Sequence, residues 1–371
     1  MWNYLARRLL LGLFTLLAAT FLVYMLLRWM PGDPLLARME RMSPGKKIRD
    51  EDRQKMMEIY GLDKPPAQAY FVWLGNVLKL NFGNSFSRYQ PVTQVIGERI
   101  GPTLLLSGTS LLLGYLLAVP MGLYATARGG KLDERAFSVS LYMLYSLPAF
   151  VAALYLQMIF AVRLQGTWLE LPLDGMTGHD FDTLSTFGKA WDLFQHALLP
   201  TICLTYGTLA YDTRFIQANM QEVLRQDYIR TARAKGVSRS KVIVHHAFRN
   251  TLIPFVTMLG LELPMVLSGA IILEQIFTWP GMGRLFFEAI NEYDYPTIMG
   301  LVLLFSVLTL IGQLLADKAT IASRRPARFC SATRLLSPVT KTSRPCSSAI
   351  RRSSPFFNAA QTIQEVVMIS C

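Results

Sequence analysis

The stretch that decides the fold is Glu222–Pro254, which reads EVLRQDYIRTARAKGVSRSKVIVHHAFRNTLIP. It is a basic segment that separates two strongly apolar runs, and it contains two acidic residues, Glu222 and Asp227. The segment YIRTARAKG predicts a short helix that Gly236 ends in the left-handed conformation. A second helical pattern then leads into the next apolar run. The seven cationic side chains of the stretch are Arg225, Arg230, Arg233, Lys235, Arg239, Lys241 and Arg249.

Composition places this basic hairpin beside a membrane. Of 371 residues, 52% are hydrophobic and 17% are charged, whereas soluble domains carry about 25% charged residues. Helix is the spanning structure that this sequence allows, because it lacks the alternating pattern of a barrel. Six apolar runs are each long enough to cross a bilayer as a helix: Leu9–Trp29, Thr103–Ala125, Phe137–Val162, Ala197–Ile216, Leu252–Leu273 and Thr297–Ala316.

The first run could instead be a signal peptide. It is long for one, and Pro31-Gly32-Asp33-Pro34 follows it in place of a small-residue cleavage site. A retained transmembrane helix is therefore favoured.

Loop charge predicts the orientation of the six helices. The loop between the second and third runs is basic, with Arg128, Lys131 and Arg135, and so is the hairpin. Segments 163–196 and 274–296 are acidic instead. Because short cytoplasmic loops carry the excess of Lys and Arg, both termini are predicted to be cytoplasmic. The basic 31–99 segment is long enough to be translocated regardless of its charge.

Four motifs resemble one family. TARAKG followed by HHAFRNTLIP resembles the EAA loop of binding-protein-dependent ABC importers, in the dipeptide/oligopeptide permease family. WMPGDP after the first run, SLPAF at Ser146–Phe150 and EQIFTWPGMGRLFFEAINEYDYP at Glu274–Pro296 resemble the same family. The resemblance implies an all-α integral membrane protein with six transmembrane helices and the MetI-like importer permease fold.

The resemblance implies two surface sites. One is a coupling helix that docks on a cytoplasmic ATPase, and the other is an outer gate that contacts an extracytoplasmic binding protein. The alternatives are lipid head-group contact for the basic helix and an interfacial aromatic belt for the gate. The coupling residues are Tyr228, Ile229, Thr231, Ala232, Arg233, Ala234, Lys235 and Gly236. The gate residues are Phe277, Trp279, Pro280, Gly281 and Gly283.

Glu262 lies near the middle of the fifth run. A carboxyl group at that depth is costly and predicts a functional site. It could line the translocation path, or it could be hydrogen-bonded between helices; the sequence leaves both open.

The sequence contains no motif for enzyme chemistry. There is no HExxH zinc motif, nucleophile elbow or GxxxxGK[ST] phosphate loop, and neither the cysteines nor the histidines have metal-ligand spacing. The net charge of +12 lies in loops between apolar runs, so nucleic acid is not predicted as a partner. A non-catalytic subunit without a cofactor is expected, with ATP and Mg²⁺ bound by partner subunits.

The resemblance implies a permease for di- or oligopeptides in a bacterial or archaeal plasma membrane. The implied partners are a second permease, two ATPase subunits, a binding protein and membrane lipid. Nickel chelates, glutathione and oligosaccharides are alternative substrates, and a non-transporting scaffold or receptor is the alternative from another class.

Three regions are expected along the chain. Residues 1–100 form the first helix and a large outer loop, and residues 101–317 form the permease core. The resemblance stops at Asp317. The Ser-, Arg- and Pro-rich remainder, 318–371, is predicted to be a disordered tail or an end that is read out of frame.

Overall fold

The computed structural model of the protein describes residues 2–30 and 64–323. Apart from one isolated bridge between Asn84 and Pro91, the secondary structure of this part is helical. The PGDP part of the WMPGDP motif and most of the predicted tail lie outside the described residues. The helices are α1 (Trp2–Trp29), α2 (Pro66–Leu78), α3 (Val92–Ala127), α4 (Leu132–Ser146), α5 (Ala149–Gln157), α6 (Thr186–Leu224), α7 (Asp227–Ala234), α8 (Phe248–Ser268), α9 (Ile271–Ile276), α10 (Met282–Asn291) and α11 (Tyr295–Ser323).

Three short segments complete the architecture. A π-helical turn, Met158–Arg163, extends α5, and a 3₁₀ turn, Phe181–Thr183, precedes α6. A helical turn, Arg239–Lys241, passes through a second π-helical segment, Val242–Ala247, into α8. The region between α7 and α8 is therefore a helix–turn–helix hairpin, as the sequence predicts.

Three helical segments are long and apolar enough to cross a membrane: Ala6–Trp29, Val92–Ala127 and Tyr295–Ala316. Helix α4 and the segment Ala149–Arg163 pass the same test together as one bent pair, with an angle of 85° between them. Pro148 of the SLPAF motif lies at this bend, immediately before α5, and proline interrupts helices. The described helices thus provide three spans, or four if the bent pair is one span. The predicted fourth run lies within α6. The fifth run, Leu252–Leu273, begins in α8 and continues past a break at Gly269 into α9, and the six-span topology stays a prediction.

Close helix packing builds the core around α3, α6, α8 and α11. Helix α3 runs along α6, and α8 runs along α11. A Cβ atom at Gly122 of α3 would lie 2.7 Å from Cγ2 of Ile216 on α6. A Cβ atom at Gly312 of α11 would lie 2.9 Å from the carbonyl oxygen of Gly260 on α8. Small residues at these positions let the helices approach closely, as in other membrane bundles.

Helix α2 returns along α1. Tyr70 is 3% exposed, and its hydroxyl lies 3.0 Å from the Thr20 hydroxyl. The Trp73 ring packs against the Tyr24 ring, with 6.5 Å between centroids. These contacts fix α2, at the described end of the predicted outer loop, to the first helix.

Candidate functional site

The basic hairpin, residues 225–249, begins with α7. Asp227 in its first turn is favourable beside the positive end of the helix dipole. The helix ends at Ala234, and Gly236 follows with φ +77°. This conformation strains residues that have a Cβ atom. The predicted helix and its glycine stop are therefore both present.

Helix α7 is amphipathic, and its apolar side faces its own chain. Ile229 is fully buried and Ala232 is 9% exposed. Both pack in one cluster with Val242, Ile243 and Ala247. The other predicted coupling residues are exposed: Tyr228, Thr231, Arg233, Ala234, Lys235 and Gly236. Of the predicted set, two residues hold the helix in place and six form its outer surface.

The hairpin is fastened to the bundle by contacts that sequence reasoning missed. A guanidinium N–H of Arg239 donates to the carbonyl oxygen of Ala127, at the end of α3, over 3.0 Å. The Asn250 amide donates to the Tyr228 hydroxyl over 2.7 Å. No local pattern predicts these pairs, since they join residues 112 and 22 positions apart.

A surface pocket of about 410 Å³ lies beside α7. His245 and His246 contribute to it with perpendicular rings. Within the described residues, no group of three or more His, Cys, Asp or Glu side chains is placed to hold a metal ion. The residues that line the pocket are Tyr228, His245, His246, Arg249 and Asn250.

The outer segment, residues 269–297, is organised around the buried carboxylate of Glu274. One carboxylate oxygen accepts a hydrogen bond from the Arg284 backbone N–H over 2.9 Å. The other accepts from the Ala270 N–H over 3.3 Å. The Thr103 hydroxyl of α3 donates to Glu274 over 3.5 Å and accepts from the Met282 N–H over 2.7 Å. This network ties α9 and α10 to α3.

The predicted gate residues are turned inward. Phe277 is 3% exposed and Trp279 is fully buried. The Trp279 indole N–H donates to the carbonyl oxygen of Pro102 over 2.9 Å. Gly281 and Gly283 are buried and Pro280 is half-buried. Contact between these residues and a binding protein stays a prediction. The exposed side chains of the segment are those of Ile272, Gln275, Phe287 and Asn291.

A second buried carboxylate joins the outer segment to the loop before α3. Asp294, 1% exposed, accepts hydrogen bonds from the Ser85 and Ser87 hydroxyls and from the Phe86 N–H. It also accepts a bond of 2.9 Å from the Thr297 hydroxyl at the start of α11. Sequence reasoning counted Asp294 as one loop charge, because its partners in the loop before α3 lie more than 200 positions away.

Three ion-paired side chains also join the loop before α3 to α10. Arg88 of the loop and Arg284 of α10 both bind the Glu288 carboxylate, each over 2.7 Å. These three side chains are about a quarter exposed. The triad adds a second attachment of the loop to the outer segment.

Glu262 lies in the middle of α8 and is half-buried. It accepts a hydrogen bond from the Tyr115 hydroxyl of α3. The Tyr115 ring packs edge-on against Phe255, with centroids 4.9 Å apart. Glu262 is therefore hydrogen-bonded between two helices, which is one of the two roles that the sequence allows. Part of its side chain is also exposed, so a place on the translocation path stays a prediction.

Comparison with known proteins finds one matching family model and several similar permease proteins. The family model of the binding-protein-dependent transport system inner membrane component matches residues 114–320. The chain is 36% identical to the oligopeptide transport system permease protein AppB of Bacillus subtilis, over 85% of this chain and 95% of the relative. It is 38% identical to a putative peptide permease protein of Brucella ovis, over 86% and 97%. It is 34% identical to the glutathione transport system permease protein GsiC of Pectobacterium atrosepticum, over 89% and 100%.

Proposed function

Because the chain belongs to the binding-protein-dependent transport system inner membrane component family, we propose that it is a permease subunit of an ATP-binding-cassette importer. It forms part of the transmembrane pathway for di- or oligopeptides that a binding protein delivers. The names of the relatives in Bacillus and Brucella support peptides. The name of the Pectobacterium relative supports glutathione, itself a small peptide, as an alternative.

The proposed topology has six spans with both termini in the cytoplasm. Helices α1, α3 and α11 and the bent pair are long and apolar enough to provide four of them. Helices α6 and α8 supply the remaining two, since each lies along a long apolar helix, α3 and α11 respectively. This topology places the basic hairpin on the cytoplasmic side, where its positive charge is favourable.

The observation that carries the proposal is the division of α7 into two faces. Ile229 and Ala232 anchor the helix on its own chain, while a continuous exposed face is left over. A partner can therefore bind to this exposed face without unfolding the hairpin. We assign that partner as a cytoplasmic ATPase, one of two in a complex that also contains a second permease and a binding protein.

The hairpin can pass movement to the bundle. Arg239 bonds the end of α3, and the Thr251 hydroxyl of α8 donates to the Met220 sulfur of α6 over 3.2 Å. A push on α7 by closing ATPase subunits would thus reach three membrane helices. The chemistry of ATP hydrolysis belongs to those subunits, and this chain supplies the docking surface and the path.

The test is co-purification of the ATPase with Ala234→Trp, which adds bulk to the exposed face of α7. We expect at least a tenfold loss of recovered ATPase, equivalent to about 1.4 kcal/mol of binding free energy. Ala190→Trp is the matched control, because Ala190 is also an exposed helical alanine but lies at the opposite end of α6. Equal recovery with both variants would place the docking surface elsewhere. Absence of ATPase from the wild-type preparation would favour the scaffold or receptor.

A further inference from the structure

Five polar side chains from four helices come near one another: Tyr115 of α3, Tyr145 of α4, Tyr211 and Asp212 of α6, and Glu262 of α8. We call them the tyrosine–carboxylate patch. Tyr115 donates to Glu262. Tyr211 is near enough to Asp212, Glu262 and Tyr145 to interact with them electrostatically. No local pattern in the sequence indicates that Glu262 has these neighbours.

The patch is open on one side. Tyr145 is 50% and Tyr211 is 41% exposed, and Tyr115 and Glu262 are half-buried. A carboxylate and three phenols are costly against hydrocarbon, and ionisable groups at this depth face a bundle interior or an aqueous cavity. If the proposed function holds, on which this inference rests, the open side faces the translocation path.

Asp212, next to Tyr211 in the chain, has a carboxylate oxygen that lacks a donor. Asp212 is 2% exposed, and its Oδ1 atom has no hydrogen-bond partner among the described residues. A buried carboxylate oxygen without a donor is expensive. The nearby cation of Arg214 is used elsewhere, since its guanidinium stacks 4.5 Å from the Tyr142 ring centroid and donates to Gln217 over 2.8 Å. The patch therefore holds acceptors and lacks a cation.

We propose that the tyrosine–carboxylate patch binds a protonated primary amine of the transported molecule. An ammonium group has three donors, which match the free Asp212 oxygen, Glu262 and a phenol oxygen. Tyrosine rings attract such a cation through their faces. The pair of carboxyl groups supplies the opposite charge once a cation is bound beside it. Both a peptide α-amine and a lysine side chain have this chemistry.

A divalent metal ion fits the patch less well. Hard cations such as Mg²⁺ and Ca²⁺ take six or more oxygen ligands, chiefly from carboxylates, carbonyls and water. The part of the chain that the structure describes has no group of three or more His, Cys, Asp or Glu side chains suited to a metal ion. Two carboxylates framed by aromatic rings suit an organic ammonium group instead.

The test uses the complete transporter with its ATPases and binding protein in proteoliposomes. Initial uptake is compared for three peptides of one length: one with a free α-amine and no lysine, its N-acetylated form, and an N-acetylated form with one lysine. Wild type, Asp212→Asn and Glu262→Gln are each measured. The binding protein is the same throughout, so its own preference cancels when the uptake ratios of variant and wild type are compared.

We expect both variants to lower the uptake ratio of free-amine to acetylated peptide at least tenfold relative to wild type. A parallel fall for the lysine peptide would assign side-chain amines to the site as well, and no fall would restrict it to the α-amine. Glu98→Gln, which removes an exposed carboxylate from α3 outside the patch, should leave the ratio unchanged.

Equal losses for all three peptides in both variants would overturn the amine site, because they would show that the carboxylates only support the fold. An unchanged ratio would overturn it too. If Asp212→Asn does not accumulate, the half-buried Glu262→Gln still decides the outcome. A wild-type complex that co-purifies with its ATPases but transports none of the peptides would overturn the amine site and the peptide substrate, and would leave the importer assignment in place. Failure of ATPase co-purification would instead count against the proposed function.

Discussion

The basic hairpin and the outer segment both carry sequence motifs, but they use them in opposite ways. In the hairpin, the motif residues Arg233, Lys235 and Gly236 are exposed, and α7 packs on its own chain through the buried Ile229 and Ala232. In the outer segment, Trp279 is fully buried and the carboxylate of Glu274 is enclosed. One motif presents a surface, and the other fills an interior.

This difference shows that a sequence motif can serve either the packing of its own chain or contact with a partner. A buried motif is explained by its own chain: the Trp279 indole binds Pro102, and Glu274 accepts backbone and threonine donors. An exposed face that has no packing partner in the described residues is left for a second molecule. Changes in the outer segment should therefore reduce the amount of folded subunit, whereas changes on the hairpin surface should reduce transport by subunits that fold.

The largest expected effect is the loss of folded subunit in Gly283→Ala. A Cβ atom there would lie 2.9 Å from the backbone nitrogen of Ile271 and 3.0 Å from its Cα, and a backbone neighbour cannot move as a side-chain tip can. Overpacking of this kind costs about 1–3 kcal/mol. The measurement is the thermal midpoint and monodisperse yield of the complex in detergent.

Gly97→Ala is the control for this prediction. Its added Cβ atom would meet nothing within 4 Å, and alanine is the better helix former, so its midpoint should equal or exceed that of wild type. Equal midpoints for both alanine variants would contradict the view that the outer segment is a tightly filled interior.

A smaller change in stability, but a severe loss of transport, is expected for Gly236→Val. The residue has φ +77°, and a left-handed conformation costs a residue with a Cβ atom about 1–2 kcal/mol. The strain acts at the end of α7 and shifts its exposed face. Substrate uptake should fall at least tenfold while membrane insertion stays normal.

Gly130→Val tests whether strain alone explains this result. Gly130 has φ +84° and open space around it, like Gly236, but lies in the loop before α4. Uptake should stay within twofold of wild type in this control. If both valine variants lose uptake equally, the effect belongs to the cytoplasmic loops in general and the coupling role of α7 is not supported.

Local signals in the sequence predicted the local structure of both regions. The short helix and its stop at Gly236 and the helical nature of the apolar runs all follow from nearby residues. Long-range pairs did not follow: Trp279 binds a carbonyl 177 positions away, and Asp294 binds a serine 209 positions away. Such pairs depend on how finished helices pack together, which no periodicity encodes. Sequence reasoning therefore located the gate motif but not its inward orientation.

The smallest effects are expected when one hydrogen bond is removed from each region. Trp279→Phe leaves the Pro102 carbonyl oxygen without its indole donor inside the protein, at a cost of about 1 kcal/mol or more. Tyr228→Phe removes the bond from Asn250, but both groups are exposed, so water replaces it and the cost should be a few tenths of a kcal/mol. Thermal midpoints should therefore fall measurably for Trp279→Phe and hardly at all for Tyr228→Phe.

The double variant should show the sum of the two shifts, because distant sites contribute independently. A larger fall for Tyr228→Phe than for Trp279→Phe would reverse the comparison, since it would make the hairpin the region whose polar contacts hold the fold together.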